Sequence, residues 1–191
     1  MTDHTGPLVV VSGPSGVGKT TVVDELLRRG TLPLRRAVTA TTRQPRAGEV
    51  PEVSYHFWSA ERFREEIDAG RMFEDATVFG TDRYGTPKSE VEPYRAKGVG
   101  VVLVIDVQGA ARVRQLAPDC LSVFIRPPSF AELEARLRGR GDLSEERIRR
   151  RLETAREELA RSGEFDYEII NDELGRAVEE LERLIRTRFA A

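Results

Sequence analysis

The clearest pattern along the chain is a set of short, unbroken apolar runs separated by charge-rich amphipathic stretches. Leu8 to Ser12, Val99 to Ile105, Leu121 to Ile125 and Tyr167 to Ile170 are continuous rather than alternating, so each predicts a strand buried on both faces. The intervening stretches predict helices. One runs from about Lys19 to Arg29 with Gly30 as its stop, and one from Lys88 to Lys97 before Gly98. Others span Ala110 to Leu116, Ser129 to about Arg138, Ser144 to Ser162 and Glu173 to Arg188, with Ser129 and Ser144 as N-caps. Buried strands alternating with helices predict a parallel sheet covered on both faces.

Residues 36–86 break that rhythm. Ala37 to Thr39, the alternating Ser54 to Trp58, Met72 to Val78 and Arg83 to Thr86 read as short strands. Arg43 to Val53 holds Pro45, Gly48 and Pro51 and reads as a loop. Ser59 caps a helix to Ala69, with Phe63 and Ile67 at i, i+4 and Gly70 as its stop. This stretch is expected to form a small mixed lobe inserted into the α/β core. Ligands in such folds bind beyond the carboxyl ends of the strands.

The length of 191 residues suits one domain with one main core. With 39% hydrophobic and 32% charged residues, the core is adequate under a heavily charged surface. A net charge of −2 excludes the global basic field that gathers nucleic acid, so any anion site must be a local cluster. Lysine occurs only at Lys19, Lys88 and Lys97, so a single arginine says little and only arginines at meaningful spacing count. Cys120 is the sole cysteine, which excludes an internal disulfide, and no zinc spacing exists. A reduced, cytoplasmic setting is expected. Met1 to Pro7 lacks a signal-peptide apolar region, and Val99 to Ile105, broken by Gly100, is too short to cross a bilayer. Neither nucleic acid nor membrane is an expected partner, and oligomeric state is not legible.

Gly13, Pro14, Ser15, Gly16, Val17, Gly18, Lys19 and Thr20 match G-x-x-x-x-G-K-[ST] in full, between a predicted strand and a predicted helix. The glycines let successive backbone N–H groups converge on phosphate oxygens, and the helix start adds its positive dipole end. Lys19 then reaches the β- and γ-phosphates of a nucleoside triphosphate, the Thr20 hydroxyl holds Mg²⁺, and Thr21 follows in the cradle. An ordinary glycine-rich turn is the alternative, and the strand–loop–helix context argues against it. The motif by itself names no acceptor.

Further motifs follow in order: Thr41-Thr-Arg-Gln-Pro-Arg-Ala-Gly-Glu49, Ser54-Tyr-His-Phe57, Phe73-Glu74 and Tyr84-Gly-Thr86. After these come Ile105-Asp-Val-Gln-Gly109, Arg136-Leu-Arg-Gly-Arg-Gly141 and Ile169-Ile-Asn-Asp172. With these motifs the chain resembles the guanylate kinase family over essentially its whole length. The resemblance implies an α/β fold in a single domain, 1–191, with a P-loop NTPase-type parallel-sheet core flanked by helices (about 1–35, 87–135 and 163–191). It also implies a mixed α+β nucleoside-monophosphate-binding lobe (about 36–86) and a helical lid (about 136–162). The implied activity is ATP-dependent phosphorylation of GMP, and of dGMP, to the diphosphate with Mg²⁺, in purine nucleotide metabolism.

Site residues follow from the residues and the resemblance together. Arg43 and Arg46, in a Pro/Gly loop, can clamp a dianionic monophosphate, with Tyr55 and Tyr84 donating hydroxyls. A mobile basic loop would carry the same two arginines. Glu74 can accept from both N1–H and the exocyclic amine of guanine, a pair of donors adenine lacks, and Thr86 and Thr39 would add hydroxyl contacts. A solvated strand-end acid is the competing reading. Asp106 ends an apolar strand where it can engage Mg²⁺-bound water or the acceptor, and a plain helix N-cap explains it too. Arg136, Arg140 and Arg151 match lid positions that would neutralise the transferring phosphoryl group, while Arg147 and Arg149 read equally well as solvated helix surface. Asn171 resembles a position beside the ATP adenine. His56 is read as structural.

Three departures from the family pattern stand out. Val104 replaces an acid, Phe79 to Tyr84 runs one residue long, and the segment after Glu49 lacks a glycine and carries Pro51. Two other readings compete: a kinase of the same fold acting on another phosphorylated acceptor such as a ribose bisphosphate, and a noncatalytic binding module. Glu74 with Thr86 argues against the first, and the complete phosphate loop with its lid arginines against the second.

Overall fold

The computed structural model describes residues 5–46, 48–78, 82–139 and 144–190. In chain order the elements are β1 (Leu8–Ser12), α1 (Lys19–Arg29), β2 (Leu34–Arg36), β3 (Ala40–Thr41), β4 (His56–Phe57), α2 (Ala60–Asp68), β5 (Met72–Val78) and β6 (Asp82–Pro87). Then follow α3 (Glu92–Arg95), β7 (Gly100–Val104), α4 (Val107–Leu116), β8 (Leu121–Arg126), α5 (Phe130–Arg138), α6 (Glu145–Ala160), β9 (Tyr167–Ile170) and α7 (Leu174–Phe189).

The five-stranded sheet has the order β2-β7-β1-β8-β9, and every pair in it is parallel. Because successive side chains alternate in direction, β1 feeds two cores. Val9 and Val11 pack with Val22, Val23 and Leu26 of α1 and Leu181 and Ile185 of α7. Leu8 and Val10 pack on the other face with Leu103, Phe124 and the Ala110 and Val113 side of α4. Continuous apolar runs are what such a doubly covered parallel sheet requires.

A second sheet, β4-β3-β6-β5, lies within Ala40–Pro87 and is mixed: β3 pairs parallel with β4 and antiparallel with β6. Its small core is Ala40, Trp58 and Phe63. Strand β5 rests against α4, so the second sheet meets the first where β7 ends.

Local expectations shift in five places. The strand expected at Ala37 to Thr39 is instead Leu34–Arg36, paired with Gly100–Val102, and Ala37 makes the last bond to that strand before the chain leaves it. Ser54 to Trp58 contracts to His56–Phe57, because partner β3 is itself only two residues long. Lys88 to Lys97 divides into a 3₁₀ turn at Lys88–Glu90 and the short α3, whose Pro93 lacks a backbone donor. Helix α4 starts at Val107, earlier than Ala110, because Asp106 caps it. Strand β9 is a sheet edge: Ile169 is buried, while Tyr167 and Ile170 are about half exposed. Beyond Glu49, Glu52 adopts φ 64°, the left-handed region that favours glycine.

Candidate active site

The carboxyl edge of the parallel sheet gathers the chemistry. The glycine loop follows β1, Asp106 follows β7 and Asn171 follows β9. The loop is shaped by backbone conformations that only glycine adopts readily: φ is 141° at Gly13, 89° at Gly16 and 95° at Gly18. A Cβ on Gly13 would collide with the Ile125 carbonyl oxygen, so the loop presses directly on β8. Gly18 caps α1 with no side-chain bond, and the first turn holds no acid, which leaves its N–H groups and dipole facing outward. Thr20 and Thr21 are exposed at that end. Lys19 Nζ donates to the Gly13 and Pro14 carbonyls at 2.6 and 3.0 Å, folded across the cradle.

Arg136 and Asn171 tie into the loop through its Val17 carbonyl. Asn171 Nδ2 donates to Val17 O at 2.8 Å from a buried position, and Arg136 Nη2 donates to Asn171 O at 3.0 Å. Arg136 Nη1 also reaches Val17 O at 3.4 Å. Arg151 is half-buried on α6, whereas Arg147 and Arg149 are exposed. Arg140 lies outside the described residues.

On the second sheet, Arg43 sits among aromatic rings. Its Nε donates to the Tyr84 hydroxyl at 3.0 Å, and its guanidinium lies 5.3 Å from the Tyr55 ring centre. The Tyr55 and Tyr84 rings meet edge-on at 6.0 Å. Burial pushes the Tyr55 hydroxyl's pKa up, so it stays protonated as a donor. Glu49, quoted above only as a motif residue, accepts from both ends of the Arg43 fork. It also accepts from the Arg46 backbone N–H at 2.7 Å, while the Arg46 side chain is exposed.

Glu74 is 5% exposed and accepts from the Thr86 hydroxyl at 2.8 Å. Burial pushes its pKa up to about 7, opposed by the Thr86 bond and reinforced by the charges of Asp106 and Asp75. The carboxylate fits because α4 carries Gly109 beneath it: a Cβ there would lie 2.9 Å from Glu74 Oε2. Thr39 is buried, and its backbone carbonyl accepts from His56 N–H. Asp106 caps α4, with Oδ1 accepting from the N–H groups of Gln108 and Gly109 at 2.7 and 3.2 Å. Both cap bonds use the same oxygen, so capping leaves Oδ2 to the cleft that Asp106 lines.

Glu158 on α6 went unnoticed in the sequence. It is 9% exposed, and its charge is coupled to Lys19 and Asp106. The signal was present: Ile148, Ala155 and Glu158 recur at helical spacing, so an acid occupies a core-facing position.

The sequence model of the guanylate kinase family, described as "Guanylate kinase", matches residues 5–188. The chain belongs to the guanylate kinase family. It is 49% identical over 179 residues to guanylate kinase of Synechococcus sp. (strain CC9902), covering 94% of this chain and 95% of that protein. Guanylate kinase of Nostoc sp. (strain PCC 7120 / SAG 25.82 / UTEX 2576) is 47% identical over 177 residues, covering 93% and 88% respectively. The crystal structure of guanylate kinase from Anaplasma phagocytophilum superposes with a TM-score of 0.83 at 31% identity, covering all of this chain and 90% of that one. The chain is thus an enzyme of the kinase class with the family's α/β fold. No helix among the described residues is long and apolar enough to cross a membrane.

Proposed function

We propose that this protein transfers the terminal phosphoryl group of ATP to GMP, giving ADP and GDP. The observation that carries the acceptor assignment is the buried Glu74 carboxylate fixed by the Thr86 hydroxyl, in a chain of this family with a complete phosphate loop. Guanine presents N1–H and its amino group side by side to such a carboxylate; adenine does not. Left facing adenine, the buried acid would lose its donors, which supports discrimination of about 10⁴. dGMP keeps the same base edge and is an expected second substrate. This activity belongs to purine nucleotide metabolism and fits a cytoplasmic setting.

In the proposed reaction a phosphate oxygen of GMP attacks the γ-phosphorus of ATP. The bond to the β–γ bridging oxygen breaks, and its electron pair leaves with ADP. Loop amides and the N-terminus of α1 bind the triphosphate, while Lys19 exchanges its two carbonyl partners for the β- and γ-phosphates. Arg43, Tyr55 and Tyr84, joined by the Arg46 side chain, receive the GMP phosphate, and Thr39 supports the base pocket. Arg136, Arg151 and Arg140 neutralise charge as the phosphoryl group moves. Asn171 acts through the loop backbone, by its bond to the Val17 carbonyl.

The donor set supports Mg²⁺: the Thr20 hydroxyl and the cleft-facing Asp106 carboxylate are hard oxygen ligands of the type it takes directly or through water. When bound, Mg²⁺ would draw charge from the β- and γ-phosphates. The test is a coupled ADP-release assay across GMP, dGMP, AMP, CMP and UMP. Equal rates with AMP and GMP would reject the assignment to Glu74.

A further inference from the structure

One buried carboxylate has no part in the mechanism above. Glu158 Oε2 is buried without a hydrogen-bond partner among the described residues, and the residue as a whole is 9% exposed. Leaving an ionisable oxygen buried and unmatched costs stability, and native proteins keep such groups chiefly where something else completes them. Burial raises the Glu158 pKa, whereas Lys19 and the Ser15 backbone N–H favour its charged form. The group therefore lies within electrostatic reach of the start of the phosphate loop and of its lysine.

Its surroundings select the missing partner. Glu158 lines a cleft of about 300 Å³ with Asp106, Gln108, Thr154, Glu157 and Arg161. Three of those side chains, Asp106, Glu157 and Glu158, are carboxylates. The Arg161 fork is already engaged by Glu164 at 2.8 and 2.9 Å. A triphosphate entering beside carboxylates is repelled unless a cation lies between them. Spacing on α6 adds a second point: Glu158 falls seven residues after Arg151, two turns along the same face, so one helix face presents a cation and an anion together.

We propose that Glu158 is a positioning residue for the divalent cation that accompanies ATP, accepting hydrogen bonds from its bound water opposite Asp106. This rests on the kinase reading above. Mg²⁺ retains several waters when it binds a nucleotide, so a carboxylate can help to position it through one of those waters.

The test uses Mn²⁺ as the spin probe, with β,γ-imido-ATP and the full-length protein. Free Mn²⁺ is read by paramagnetic resonance, and nucleotide affinity without metal is read by calorimetry in a chelator. Glu158→Gln is expected to weaken Mn²⁺ in the protein–nucleotide complex about 10-fold to 100-fold. Metal-free nucleotide should bind as well or better, since a negative charge near the loop has been removed. Glu158→Asp, which keeps the charge on a shorter stem, should lose less Mn²⁺ affinity than Glu158→Gln and serves if the amide variant does not fold. Unchanged Mn²⁺ affinity overturns the inference, as does an equal loss with and without metal, which a purely structural role would produce. The two readings fail separately: a wild-type protein inactive on GMP defeats the proposed acceptor, whereas an active one with metal-insensitive Glu158 variants defeats only this proposal.

Discussion

Arg43 and Glu49 form a two-pronged ion pair, with Nη1 2.9 Å from Oε2 and Nη2 2.9 Å from Oε1. A carboxylate thus occupies the guanidinium fork that the proposed function assigns to the phosphate of GMP. A phosphate and a carboxylate present similar pairs of oxygens to a planar fork, and an ammonium lacks the fixed coplanar pair of donors that meets them. Arg43→Lys is therefore expected to raise KM for GMP by at least about tenfold, with KM for ATP changed less than about twofold. Steady-state kinetics with each substrate varied in turn would check this, and a GMP KM close to wild type would remove Arg43 from the phosphate site.

Glu74 links stability to pH. Its folded pKa of about 7 lies above the ordinary 4.5, so between those values the folded chain binds more protons than the unfolded one. The associated stability is fully present below about pH 4.5 and is lost as pH rises through about 7, on the order of 3 kcal/mol in all. Glu74→Gln should abolish that part of the slope in denaturation measured without nucleotide between about pH 5 and about pH 8. GMP binding should show the opposite trend, because the ionised carboxylate is the form that accepts from guanine. An identical stability slope in wild type and variant would contradict this account.

Gly109 sets the seat of that same carboxylate. With a Cβ 2.9 Å from Glu74 Oε2, Gly109→Ala forces the acid away from Thr86 or shifts α4. A misplacement of around 1 Å in a binding group costs up to about a hundredfold. The expected result is a kcat/KM for GMP about tenfold or more below wild type, with ATP affinity retained by calorimetry. Parallel loss of ATP affinity would mean that α4 itself had moved.

His56 ties the second sheet to the first. Its Nε2 lies 3.3 Å from Glu90, which also pairs with Arg35 of β2 at 2.6 Å, and its Nδ1 lies 2.5 Å from Glu52. The hydrogen bond to Glu90 raises the His56 pKa against the effect of burial, helped by Glu52. Burial raises Glu90, but bonds from His56, the Val38 N–H and Arg35 outweigh it and bring it to about 2. The histidine's share of stability is complete below its ordinary pKa of 6.5 and disappears as pH climbs through the raised value. The glutamate's share holds above its ordinary value and fails as pH falls toward 2. His56→Gln should therefore lower the melting temperature more at about pH 5.5 than at about pH 8.5, a gap that calorimetry would resolve. No pH dependence in that gap would show that the histidine is neutral throughout.

The sequence was most informative where one short segment contains its own explanation. Leu8 to Lys19 encodes a buried strand, a glycine loop and a helix start within a dozen positions, so its pattern is readable without knowing its distant partners. It was least informative where pairing decides. Leu34–Arg36 is a strand because Gly100–Val102 lies beside it, and nothing in Leu-Arg-Arg announces that. Asp106 was legible both as a cap and as a site acid; the structure shows the cap, made through one oxygen only.

By itself, then, the sequence determined the alternation of buried strands and helices, the phosphate loop and the family. Those follow from local periodicity and from residue types at fixed short spacing. Tertiary structure decided which charges meet. Arg35 pairs with Glu90, Gly109 makes room for Glu74 and Glu158 feels the charge of Lys19, because packing of separate elements sets distances between side chains far apart in the chain. Electrostatic energies depend on those distances and on burial, and neither is written in the order of residues.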